Sequence, residues 1–449
     1  MNKVISILFI IISWISGIAQ ITPGEIQNQN ILLSGGILHK GNGEIIQNSA
    51  IGFEKGLISE LMNLDQDKID SSKYDVIINV DGHDVYPGFI AMNSTLGLME
   101  IGAVRATKDY RETGNFNPNS RTLTAFNTDS RITPTVRSNG ILLGQISPRG
   151  GLISGTSSVM RFDAWNWEDA VVKADEGIHM NWPTSRVNRT GASEAEIKKT
   201  KTKVRTLKDE IYNFFNSSQA YCEGTPLSII DLKLEAMKGI FLGSKRLYIH
   251  ANEVSQIKEI IEFKKEFKIQ KLTLVGGRDA HYIAELIAEN DISVIIKRVH
   301  SLPRYKQSEL DISYRLPSIL FKSKVLFCFD NQGDMEQMQS RNIPFLAGTA
   351  VAHGLPYEEA IKALTSNCAK ILGIEKYGTI KKGMSATLFV SEGDALDIVS
   401  NKVTHAFIDG RIINLSNDQE KNYLKYRSKY GLEIENKEWI LFIKFKNFN

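Results

Sequence analysis

Cysteine, net charge and long apolar runs are all scarce in this 449-residue chain. Cys222, Cys328 and Cys368 are the three cysteines, and they lie far apart. They make no metal-spaced pair and no disulfide framework, and an odd count leaves at least one free thiol. Small buried hydrophobes are the simple reading of all three. Lysine and arginine outnumber the acids by only +3, which excludes a nucleic-acid partner argued from charge. One apolar run alone is long, Val4 to Ile18. With Lys3 before it and Gly17-Ile18-Ala19 after it, it reads as a secretory signal peptide cut after Ala19. An uncleaved anchor helix is the alternative. No lipidation cysteine follows, and nothing further along could cross a membrane. The mature protein is therefore expected to be periplasmic or secreted and free of the membrane.

What is present is ordinary globular composition, 42% hydrophobic and 23% charged. The length suits a barrel plus a smaller domain. Residues 20–86 read as short strands broken by Gly35-Gly36, Gly43, Gly56 and Asp81-Gly82. Residues 87–373 change character. Arg246–His250, Lys271–Val275, Ile292–Ile296 and Val325–Phe329 are strand-like and alternate with amphipathic helical stretches. This alternation implies parallel pairing through right-handed crossovers. Gly97 to Gly155 interrupts it as a long irregular insertion, a kind of segment that is usually functional or flexible. Ser193 to Tyr221 reads as a charged, solvated outer helix. The β pattern returns over 374–415, and a charged helix and tail fill 416–449. The economical architecture is α/β: a TIM-like (β/α)8 barrel with a composite β-sandwich domain formed by both chain ends.

In such a barrel, chemistry sits at the C-terminal ends of the strands. Val85-Tyr86-Pro87-Gly88-Phe89-Ile90 opens the first barrel strand, and Asn93 and Thr95 follow on one side of its alternation. His250 ends one strand and Asp330 another. Tyr86-Pro87-Gly88-Phe89-Ile90, together with Ala347-Gly348-Thr349, Gly354-Leu355-Pro356-Tyr357, Thr365-Ser366-Asn367-Cys368-Ala369 and Gly378–Leu388, resembles the amidohydrolase superfamily. The resemblance is to its imidazolonepropionase-like branch of exported bacterial proteins.

That resemblance implies a metal-dependent hydrolase of carbon–nitrogen bonds acting on a small-molecule substrate such as a cyclic amide. The family's ligands are a His-x-His after strand one, a carboxylated lysine or a glutamate after strand four, histidines after strands five and six, and a strand-eight aspartate. Here the His-x-His positions are Asn93 and Thr95, expected as substrate contacts. His250 matches the strand-five ligand, and Asp330 matches the aspartate, as metal ligand and catalytic base. The strand-six position falls on Gly276 or Gly277, His281 is not the motif residue, and Lys173 and His179 are candidates for strand four. The implied cofactor is at most one divalent metal, zinc first, and none if the site is degenerate. The alternative function is a non-catalytic homologue that lost its metal ligands and serves as a binding or partner subunit, as a homo-oligomer or paired with an intact homologue.

Bland readings compete at each position. Asp330 could be a loop or cap carboxylate, His250 a strand-end histidine bonded to its neighbours, and Asn93 and Thr95 structural replacements. Arg105, Arg111, Arg121, Arg131, Arg137 and Arg149 could bind an anion at the barrel mouth, or pair internally. Trp182 and Trp165-Asn166-Trp167 could line a pocket or pack in the core. His353 and His405 are read as ordinary, and Gly150-Gly151 with Gly155 is no dinucleotide fingerprint.

Overall fold

The computed structural model describes residues 23–184, 193–224, 230–333 and 335–432. The expected signal peptide, 1–19, and the end of the tail lie outside them. Among the described residues no helix is long and apolar enough to cross a membrane.

The strands form two sheets. In the first half of the chain run β1 (Ile31–His39), β2 (Ile45–Glu54), β3 (Leu57–Asn63), β4 (Val76–Asn79), β5 (Asp84–Pro87) and β6 (Phe89–Ser94). Then come β7 (Ile141–Ile146), β8 (Ile153–Arg161), β9 (Val171–Asn181), β10 (Arg246–Ala251), β11 (Leu272–Gly276), β12 (Ile292–Lys297) and β13 (Phe327–Asp330). The last are β14 (Leu388–Ser391), β15 (Val403–Ile408) and β16 (Arg411–Ile412). Longer helices are α1 (Glu194–Glu223), α2 (Leu232–Phe241), α3 (Val254–Glu266), α4 (Ala284–Glu289), α5 (Ile312–Lys322), α6 (Ile343–Ala352), α7 (Tyr357–Leu364), α8 (Ser366–Leu372) and α9 (Asp418–Lys429).

One sheet runs β6 through β13 in chain order and curls into a nearly closed barrel. From β9 to β13 every neighbour is parallel, because α1 to α5 give each connection the length that a crossover needs. The regular barrel pattern fails at one strand. β8 runs antiparallel to both β7 and β9. Only six residues separate β7 from β8, and nine, including the helical turn Trp167–Ala170, separate β8 from β9. Neither link is long enough to return the chain to the same end. The expected irregular insertion is therefore smaller than the sequence suggests, since β7 and the start of β8 lie inside it.

Alternation along the strands fills the barrel. Ile90, Met92, Leu143, Val159, Tyr248, Val275, Ile295 and Cys328 form its interior. Cys368, Ile371 and Leu372 of α8 belong to the same cluster, and Cys368 lies under the start of β6. α8 thus plugs the N-terminal end, and Gly373 at φ +65° ends it in the left-handed conformation that glycine adopts cheaply. His250 stands two residues beyond Tyr248, and Asp330 two beyond Cys328. Both inherit an inward direction at the C-terminal end.

The second sheet has the order β16-β15-β14-β5-β1-β2-β3, with β4 beside β1, so both ends of the chain build it. Its core includes Leu33, Phe53, Val85, Leu388 and Phe407. A buried cluster of Arg137, Asp163 and Arg411 ties it to the barrel. α1 departs from the expected solvated helix. Ser193 caps it through a capping box with Glu196, and it buries Val204, Ile211 and Phe215. Phe215 packs edge-on against Phe263 of α3, ring centroids 4.8 Å apart.

Candidate functional site

Asn93 lies at a break in the β6–β7 register, with φ +48°. Asparagine tolerates that left-handed geometry better than most residues. The kink turns the side chain across the barrel seam. Its Nδ2 donates to Asp330 Oδ2 at 2.7 Å. Its backbone N–H donates to Gln145 Oε1 at 2.9 Å. Arg149, from the β7–β8 link, donates to Asn93 Oδ1 at 3.0 Å and to the Asn93 carbonyl at 2.5 Å. It also pairs with Glu336 Oε1 at 3.0 Å, which accepts the Thr95 hydroxyl as well, at 2.8 Å. All of these groups are buried or nearly so.

Burial pushes the Asp330 carboxyl up to about 7, against the stabilising amide of Asn93 and the charge of Arg149. Across the barrel, His250 Nε2 lies 3.0 Å from His179 Nδ1, and His179 Nε2 lies 3.1 Å from Ser157 Oγ. Burial pushes His250 down to about 3, with Arg149 and Lys297 adding to the effect. It holds His179 well below the usual imidazole range. Below the pair sits Glu176, a glutamate inside the barrel. It receives Ser157 Oγ at 2.5 Å, Gln145 Nε2 at 2.6 Å and Tyr248 OH at 2.8 Å.

A cavity of about 400 Å³ opens at this end, against His250, Asn181, Trp182, Asn252, Gln256 and Gln332. Lys297, Arg304, Glu253 and Arg278 also line it, the last paired with Asp279 at 2.9 Å.

The model of the family described as "Amidohydrolase family" matches residues 244–413, from the start of β10 through β16. The C-terminal part of the chain is therefore similar to the amidohydrolase family. A solved amidohydrolase from Thermotoga maritima MSB8 shares 24% identity and a TM-score of 0.71, over 86% of this chain and 99% of that one. Molinate hydrolase aligns with TM-score 0.52 at 14% identity, covering 88% and 96% of the two chains. A Xaa-Pro dipeptidase with bound methionine aligns with TM-score 0.52 at 13% identity, covering 86% and 100%. These likenesses concern the fold. No curated protein matches the sequence.

Amidohydrolases are generally metal-dependent, so the side chains at the ligand positions must be tested against a cation. They do not fit one. The oxygens of Asn93 already face the guanidinium of Arg149, and Asp330 Oδ2 is held by the Asn93 amide. At the strand-six position, Gly276 has φ +110°, and a Cβ there would lie 2.7 Å from Asn252 Oδ1 and 2.8 Å from the Ala251 carbonyl. No histidine can stand there without moving backbone. Among the described residues no three His, Cys, Asp or Glu side chains converge on one point. A zinc site normally needs three good protein ligands.

Of the residues picked from the sequence, Asn93, Thr95 and Asp330 come together in one network, and His250 faces them from the other wall. The strand-four candidates separate. His179 joins His250, whereas Lys173 donates to the Leu372 carbonyl at 2.8 Å, at the plugged end of the barrel. Of the six insertion arginines, Arg105 and Arg111 line one cavity together, and the other four are paired. Arg121 pairs with Asp175, Arg131 with Asp418, Arg137 with Asp163 and Arg149 with Glu336. Sequence reasoning missed Glu176, Ser157, Gln145 and Glu336. The available signal for Glu176 was an acid three residues before a histidine, beside the apolar residues Ile178 and Met180.

Proposed function

We propose that this chain keeps the hydrolase scaffold of amidohydrolases but uses the barrel mouth to bind a small anionic molecule without a catalytic metal. One observation carries the reading. The Arg149 guanidinium, held by Asn93 and Glu336, stands against the side chains that replace the first-strand ligands. A fixed cation there opposes binding of a second one. Lys297, which lines the neighbouring cavity, supports an anionic ligand. Export through the leader at 1–19, which rests on sequence alone, and pairing with a second copy or an intact homologue belong to the same reading.

The test is metal content. The purified protein is dialysed against equimolar zinc, manganese or iron(II) and then assayed by elemental analysis and thermal unfolding. Retention well below one ion per chain, with no effect of chelator on Tm, is expected. Stoichiometric retention with a raised Tm overturns the reading.

A second reading, metal-free hydrolysis of a carbon–nitrogen bond with Asp330 as the base, is favoured by one feature. Asp330 is a buried carboxyl at the end of the last barrel strand whose one side-chain donor among the described residues is Asn93. Its carboxyl, lifted to about 7, would accept a proton near neutrality. Turnover of N-acyl amino acids that Asp330→Asn abolishes would establish this reading instead.

A further inference from the structure

The buried chain from Glu176 to the mouth has a direction, and that direction settles which proton His250 carries. Gln145 is oriented first. Its Oε1 accepts the Asn93 N–H, so its Nε2 must face Glu176. Glu176 Oε1 then receives both Gln145 and Ser157, and Oε2 receives Tyr248. Burial raises the Glu176 carboxyl, but the donors converging on it, Gln145 Nε2 and Tyr248 OH, favour its carboxylate, and the Ser157 hydroxyl, 2.5 Å from Oε1, then donates to it. With its proton spent, Ser157 Oγ accepts from His179 Nε2–H. A neutral His179 then offers a bare Nδ1, which accepts from His250 Nε2–H. The low pKa values of both imidazoles agree with neutral rings. His250 is left with an unprotonated Nδ1. No donor among the described residues reaches that atom, and His250 lines the cavity.

We infer that Glu176, Ser157 and His179 are positioning residues that lock His250 as an acceptor, so that the mouth selects an anion carrying an adjacent N–H or O–H donor. The donor would meet His250 Nδ1. The anionic group would meet Lys297, which lines the same cavity and has no ion-pair partner among the described residues. A buried acceptor left unpaired costs more than a hydrogen bond gains, so a ligand lacking the donor is rejected. The inference rests on the binding reading for its ligand class. The tautomer stands apart from it.

The test therefore has two arms. In the free, chelator-treated protein, long-range proton–nitrogen NMR on 15N-histidine label reads the His250 tautomer, its signal assigned by its loss in His250→Gln. The Nε2–H form is expected, and Ser157→Ala should convert it to a mixture with the fold intact by circular dichroism. An Nδ1–H tautomer in the wild type, or an unchanged one in both Ser157→Ala and Glu176→Gln, overturns the lock. In the second arm, titration calorimetry compares N-acetylglycine with N-acetylsarcosine, which lacks the N–H, and N-acetylglycinamide, which lacks the charge. Binding of N-acetylglycine about tenfold tighter than either is expected, lost in Lys297→Met. Equal affinities, or no binding of any of the three, overturn the ligand class. Release of acetate from N-acetylglycine would instead sink the non-hydrolytic reading and leave the selection by His250 standing.

Discussion

Asn93 and Asp330 are joined by a 2.7 Å hydrogen bond that spans the seam between the first and last barrel strands. In a metal hydrolase of this fold, both positions would face a cation. Here each satisfies the other. Removing the donor with Asn93→Ala leaves Asp330 Oδ2 and Arg149 short of partners in a buried site. A loss of about 1–3 kcal/mol by denaturant unfolding is expected.

The carboxyl itself sets a pH dependence. Burial raises Asp330 from 3.8 to about 7, so the fold favours its protonated form. That stability is fully present below pH 3.8 and is lost as pH rises through 7. Asp330→Asn should thus be more stable than wild type at pH 8, and the advantage should shrink toward pH 4. A variant less stable than wild type at pH 8 would mean that Arg149 and Asn93 outweigh burial.

Arg149 and Glu336 form a nearly buried pair, each side chain 14% exposed. Arg149→Met leaves the glutamate without its countercharge and should cost roughly 3–5 kcal/mol. Adding Glu336→Gln should recover a substantial part. Additive losses in the double variant would show that the two residues do not act as a pair.

His39 bridges the second sheet to α7, 2.7 Å from Glu358 and 3.4 Å from Asp84. Burial disfavours its charge, but the two carboxylates prevail and push it up to about 9. Its contribution is complete below pH 6.5 and disappears as pH rises through 9, worth roughly 3 kcal/mol. Wild type should lose more Tm than His39→Gln between pH 6 and 10.

Cys328 and Cys368 are buried, and Cys222 on α1 is partly exposed. Burial pushes the Cys328 thiol further up. A thiol reagent should label Cys222 alone in the native protein and all three cysteines after denaturation. Rapid native labelling of Cys368 would show that α8 leaves the barrel floor.

Strand and helix identity over β10 to α8 was legible because apolar period and glycine stops are local properties. Pro87-Gly88-Phe89-Ile90 placed the first barrel strand, and its alternation placed Asn93 and Thr95. The reversed strand β8 was not legible, because its direction depends on how far two short links can reach in space. Nor was the site. Glu176, Ser157, His179 and His250 lie up to 93 residues apart, and only strand pairing brings them within hydrogen-bond reach. The sequence alone determined that asparagine stands at 93, threonine at 95 and glycine at 276 and 277, where the resemblance leads one to expect imidazoles, since residue identity is enough to say so. What fills their place, a guanidinium held between Asn93 and Glu336 and a directed chain ending on His250, was decided by tertiary structure, because hydrogen bonds depend on distance and angle and not on order along the chain.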